Sequence, residues 1–158
     1  MRLFIRLLLI TLIFALNTPL ASALLLRETL ASGESLHKSL RSLQDNHGYS
    51  WQLVAFKAEL APRAYLRLVG FPTLPPIAHR KPLRVQMGVS HFTVADETPS
   101  FGQDSPPATV AQYPLDAVLS QGDRAAMVLS IPSASDSPSD LHIPQSVVKE
   151  WWAILEEA

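Results

Sequence analysis

The sequence has no cysteine. That absence excludes disulfides, a lipid-modified amino-terminal cysteine, thiolate nucleophiles and the usual cysteine-bearing zinc sites. Glycine is sparse, six residues in 158, and there is no phosphate-cradling glycine loop, Gly-x-Ser-x-Gly elbow or paired-histidine zinc motif. The five histidines, His37, His47, His79, His91 and His142, never fall two or four positions apart, so spacing gives no metal site. No cofactor is expected. Charge of one sign is also missing: thirteen basic residues stand against fourteen acidic ones, which gives no general field for nucleic acid or an anionic membrane surface.

The amino terminus does carry a pattern. Arg2 and Arg6 precede apolar runs from Leu7 to Ile10 and from Leu12 to Leu16; Pro19 then stops the helix, and Ala21-Ser22-Ala23 supplies small side chains. These are the charged, apolar and cleavage regions of a secretory signal peptide, with cleavage expected after Ala23. An uncleaved anchor is the alternative, but Leu3 to Leu16 falls short of the roughly 18 apolar residues that span a bilayer. Removing residues 1–23 of the 158 leaves 135, one domain's worth of chain. Without Arg2 and Arg6, eleven basic residues face fourteen acidic ones, a formal charge of −3.

In the mature chain, 24–34 is expected to be a flexible terminus and 35–158 a single globular domain. Ser35 to Leu43 reads either way, because Leu36, Leu40 and Leu43 fit a helical face while the following Asp45-Asn46-His47-Gly48 turn argues for a hairpin. Tyr49 to Lys57 is the clearest strand, with Trp51, Leu53 and Ala55 on one face and Val54 and Phe56 on the other, which predicts a central position. Further strands are expected at Ala64–Phe71, Leu83–Met87, Val89–Val94 and Ala125–Ile131, with a stiff proline connection at Pro72–Pro82. Asp96–Thr109 reads as a loop, Pro114–Ser120 as a short helix, and Pro132–Asp140 as a linker. The best helix comes last, after Pro144: Val148, Trp151, Trp152 and Leu155 form one stripe, with Lys149 and Glu150 on its flank. The expected class is α+β, mainly β: an antiparallel sheet or open barrel of five to six strands with the carboxy-terminal amphipathic helix packed on it.

One polar cluster suggests binding. His79, Arg80, Lys81 and Arg84 lie close in sequence, joined by Arg67 and Arg63 if the strands at Ala64 and Leu83 pair; such cations hold a carboxylate, a phosphate or an acidic protein patch. An ordinary solvated surface is the plainer explanation. The proline connection is a second candidate contact, since preordered segments dock at little entropic cost. For catalysis, His91 or His79 would have to meet a carboxylate in a cleft, Asp96 or Glu97 being the carboxylates considered for His91. For a ligand-binding barrel, Trp51, Phe56, Phe71 and Phe92 would have to line a cavity rather than fill a core.

The pattern Trp51-Gln52, Phe56-Lys57, Leu66-Arg67-Leu68-Val69-Gly70-Phe71-Pro72, His79, Pro82-Leu83, Gln112-Tyr113 and Val148-Lys149-Glu150-Trp151 resembles the small exported cyanobacterial proteins grouped as domain of unknown function 3122. The resemblance runs from about Leu36 to Trp151. It implies no activity, cofactor or catalytic residue, and it implies export to the periplasm or the thylakoid lumen. The resulting expectation is a non-enzymatic accessory or interaction domain, contacting a membrane protein complex from its soluble side, with no nucleic acid and no membrane span after cleavage.

Overall fold

Two-residue alternation of apolar and polar side chains resolves into two antiparallel sheets. The computed structural model describes residues 25–29, 31, 33–71, 73–99, 107–121, 123–135 and 137–157, so the expected signal peptide and Ala23 lie outside the described residues. In chain order the elements are β1 (Leu25–Thr29), β2 (Ser35–Gln44), β3 (Ser50–Ala58), β4 (Tyr65–Gly70), β5 (Leu83–Met87), β6 (Ser90–Val94), β7 (Val110–Pro114), α1 (Leu115–Val118), β8 (Met127–Ile131), β9 (Ser139–Ile143) and α2 (Gln145–Glu157). Sheet A runs β1-β2-β3-β4-β7 and sheet B runs β6-β5-β8-β9. Neither closes into a barrel.

The core lies where the inner faces meet. Sheet A contributes Trp51, Leu53, Leu66, Leu68 and Tyr113; sheet B contributes Leu83, Val85, Leu129, Ile131 and Leu141, all buried. On β5 and β8 the alternate residues Arg84, Gln86, Val128 and Ser130 face outward, so sheet B has one covered face and one open one. Burial of the large apolar residues at about 25 cal/mol per Å² is what holds the two layers together.

Several elements depart from the sequence expectation. The predominantly β architecture with a carboxy-terminal helix holds, with nine strands among the described residues rather than five or six. The stretch expected to be a flexible terminus supplies β1, because β2 offers it a complete antiparallel ladder from Leu25↔Ser39 to Thr29↔Ser35. The ambiguous stretch at 35–43 is strand β2, and its inward residues are polar: His37 and Ser39 are buried while Leu40 is exposed. The reason is α2. Its Glu150 accepts hydrogen bonds from Ser39 Oγ (3.1 Å) and Arg41 Nε (3.1 Å) and pairs with the Arg41 guanidinium, so it faces the sheet instead of the flank. The helix is turned accordingly, burying Val147, Val148, Trp151 and Ile154 and leaving Trp152 and Leu155 only partly covered. Strands β7 and β9, absent from the sequence reading, complete the two sheets.

The β2–β3 turn joins the sheets. Asp45, 7% exposed, accepts hydrogen bonds from Trp51 Nε1 (3.0 Å) and from the backbone N–H groups of His47 and Tyr49 (2.9 Å each). It also bridges Leu141 of β9, while Asn46 N donates to Asp140 O (3.0 Å) and Asp140 N to Asn46 Oδ1 (2.9 Å). The proline connection is a second stitch. Leu74 and Ile77 are buried, Ile77 N donates to Ala108 O, and Ala78 N and Ala134 N exchange bonds with Pro132 and Pro76. That segment is integrated into the fold, which removes it as a free docking strip.

Burial works to raise the Asp45 carboxyl, but hydrogen bonds from Trp51, Ser139, Tyr49 and His47 outweigh it and hold the group below the ordinary value of 3.8. Its stabilisation is therefore present above 3.8 and lost as pH falls through the lower folded value. Asp45→Ala is expected to cost about 2–3 kcal/mol near neutrality by leaving buried donors unpaired. In urea titrations at a series of pH values, the gap between the parent and the variant should narrow in acid; a gap unchanged down to about pH 2 would contradict this role.

Candidate functional site

Strand register decides which of the cations meet. The strands at Ala64 and Leu83 do not pair: β4 lies between β3 and β7, and β5 lies between β6 and β8. Arg67 is therefore on sheet A, apart from Arg84 on sheet B. There its Nε (3.1 Å) and Nη2 (2.7 Å) donate to Gln112 Oε1, and its guanidinium lies over the Phe56 ring, 5.2 Å from the centroid. Arg63 pairs with Glu97 (2.9 Å), whose hydrogen bond and charge raise the guanidinium's pKa.

His79 is engaged too. Its Nδ1 lies 2.8 Å from Asp96 Oδ2 and its Nε2 lies 3.1 Å from the Pro107 carbonyl oxygen. Both partners are acceptors. A neutral imidazole can donate to only one of them, while the doubly protonated ring donates to both. The chain of bonds continues: Thr98 N donates to Asp96 Oδ1 (2.8 Å), Gln112 N donates to Thr98 Oγ1 (2.9 Å), and Gln112 Oε1 receives Arg67. His79 thus meets the carboxylate that a catalytic reading requires, but neither ring nitrogen is left for a substrate. The pair clasps the proline connection to the loop at 95–99 and to Pro107.

What remains of the basic cluster sits at one end of sheet B. Arg80, Lys81 and Arg84 are exposed. Among the described residues their side chains make no hydrogen bond or ion pair, whereas Lys38, Arg41, Arg63 and Arg124 each pair with a glutamate. Lys81 and Arg84 line an open depression of about 350 Å³ with Thr93, Ser130 and Ser133. It adjoins a second of about 380 Å³ bounded by Arg84, Gln86, His91, Thr93 and Ser130. The registers explain the arrangement: Thr93, Arg84, Ser130 and Asp140 form one cross-strand row on the outer face, and His91, Gln86, Val128 and His142 form the next. Asp140 accepts from Ser130 Oγ (2.5 Å). Sequence reasoning singled out Lys81 and Arg84 but not Gln86, Thr93 or Ser130; the polar alternation of β5, β6 and β8 was the available signal, and it needed the strand order to become a surface.

The barrel reading fails on geometry. Trp51 is buried in the core, Phe56 lies beneath Arg67 on the outer face of sheet A, Phe71 is exposed, and Phe92 is partly buried against the core, so the four line no common cavity. Among the described residues no group of three His, Asp or Glu side chains converges to hold a metal ion, and no helix is long and apolar enough to cross a membrane.

The chain is thus a two-sheet α+β domain whose second sheet has a polar face that no described residue covers. It belongs to the family described as Protein of unknown function (DUF3122), which matches residues 23–154. No curated protein and no solved structure matches it. Within the Leu66–Pro72 run that carries the resemblance, Gly70 has a steric reason: a Cβ there would stand 2.5 Å from Leu74 Cδ1 and 3.1 Å from the Trp51 ring.

If His79 is a clasp, His79→Ala should lower stability by about 1–3 kcal/mol, since Asp96 Oδ2 loses the imidazole and keeps only the Thr98 bonds on Oδ1, and should speed amide exchange at Thr98. His91→Ala, which removes no bond, should stay within about 0.5 kcal/mol. Equal effects of the two substitutions in thermal unfolding would contradict the clasp.

Proposed function

We propose that this chain is an exported interaction domain, acting by binding rather than catalysis, which contacts a membrane protein complex from its soluble side in the periplasm or the thylakoid lumen. The observation that carries the binding part is the concentration of Arg80, Lys81 and Arg84 at one end of sheet B, their side chains without partners among the described residues, while Arg27, Arg41, Arg63, Arg67 and Arg124 are all engaged. Exposed cations confer specificity and rapid encounter on a surface of opposite charge. The counterpart is therefore an acidic patch. A carboxylate facing Arg84 would gain a charge-assisted bond that no residue of the chain supplies.

Export is supported by the sequence pattern of residues 1–23. Strand β1 begins at Leu25, so a chain cut after Ala23 would enter sheet A almost at once. That tie is what spares a new terminus from fraying.

Two results are expected. The accumulated protein, sequenced from its amino terminus, should begin at Leu24 and fractionate away from the cytosol; cytosolic protein retaining residues 1–23 would overturn export. Binding to washed membranes of the source cells should persist at roughly 0.1 M salt and weaken sharply toward 1 M as charges are screened. Arg80→Glu with Lys81→Glu should abolish it, and unchanged retention of that double variant would remove the basic end from the account.

A further inference from the structure

The outer face of sheet B ends at a strand edge that no described residue pairs with. In the β5–β6 hairpin, Gly88 and Val89 form a two-residue turn, with Gly88 at φ 58°, and Met87↔Ser90 is the closing pair. Such a pair exchanges both backbone bonds, and pairs alternate from there. Val85↔Phe92 and Leu83↔Val94 are then the bonded pairs, and the N–H and C=O groups of His91 and Thr93 point away from β5, toward the open edge. Among the described residues none of those four groups has a partner.

The other flanks are managed differently. β1 carries Arg27 and Glu28. The outer side of β7 is occupied by Glu97 N, which donates to Gln112 O, and by Thr98 Oγ1, which accepts from Gln112 N. β9 is bridged to Asp45 through Leu141. β6, Ser-His-Phe-Thr-Val, has neither a charge nor a proline, the usual devices that keep an edge from pairing.

We infer that β6 accepts an extended acidic peptide segment of a partner protein as a fifth strand of sheet B. This rests on the interaction reading above and gives it a mode. An added strand would satisfy the four open backbone groups, and its alternate side chains would continue the outer rows beside His91 and Thr93. The charge that those rows select is negative. Arg84 lies directly across from Thr93, and Lys81 shares its depression. Among the described residues the nearby acids are already engaged, Asp96 by His79 and Thr98, Glu97 by Arg63, and Asp140 by Ser130 with β5 and β8 between it and the edge. At the far end Val89, 96% exposed at the turn, offers an apolar contact. Pairing of β6 with a second copy of the chain would instead set two such rows together, each backed by an Arg84 and with no carboxylate between them.

The probe is a synthetic peptide of alternating glutamate and valine, compared with its lysine–valine counterpart on the intact mature domain. The glutamate peptide should slow amide exchange at His91 and Thr93 by about tenfold or more, and Arg84→Glu should weaken its binding by about tenfold. Thr93→Pro removes an edge donor that the fold does not use, so it should abolish peptide binding with the melting temperature unchanged. Exchange unaffected at millimolar peptide, equal protection by the lysine peptide, or amides already protected through a dimer seen by sedimentation would each overturn the inference. Loss of membrane binding in the Arg80/Lys81 double variant combined with no protection by the peptide would reject the β6 mode alone and leave the interaction reading in place.

Discussion

The arrangement of the two sheets depends on one buried carboxylate. Asp45 ends β2, closes the turn to β3 through the backbone N–H groups of His47 and Tyr49, and fixes the Trp51 indole that fills the core beneath it. Its backbone bridge to Leu141 carries the same turn across to β9. A charge there is tolerated because its oxygens meet donors on several sides. With the second sheet anchored at β9 and strapped by the connection at 73–82, its opposite flank, β6, is left as the outward edge of the molecule.

That asymmetry separates structural polarity from available polarity. Glu150 with Ser39 and Arg41, His79 with Asp96, and Arg67 with Gln112 are polar groups spent on holding elements together. Arg80, Lys81, Arg84, His91 and Thr93 are polar groups on which the fold makes no such demand among the described residues. Replacing members of the first set should cost stability, and replacing members of the second should cost binding, because surface positions without partners contribute little to folding.

Much of the fold was legible in the sequence where a local period was strong. β3, β4, β5 and β8 alternate cleanly and are where alternation puts them, and α2 follows Pro144. What was not legible depended on partners distant in sequence. β1 has no alternation of its own and exists through its ladder with β2. β9 follows a Ser, Asp and Pro stretch that masks its five-residue pattern, and β7 runs straight into α1. The helix stripe was displaced because Glu150 finds Ser39 and Arg41 on the sheet, a pairing no helical period reveals. The basic cluster was half legible: adjacency in sequence found Lys81 and Arg84, but it also gathered His79, which turns into the clasp, and Arg67, which belongs to the other sheet.

The account stands on the claim that the partner meets sheet B at β6 rather than the outer face of sheet A. The most direct measurement is site-specific photo-crosslinking in the source cells, with the reactive group placed once at Thr93 and once at Ser42, an exposed position on β2. The prediction is a discrete crosslinked species from position 93, lost in an Arg84→Glu background, and none from position 42. A crosslink from position 42 with none from position 93 would contradict it.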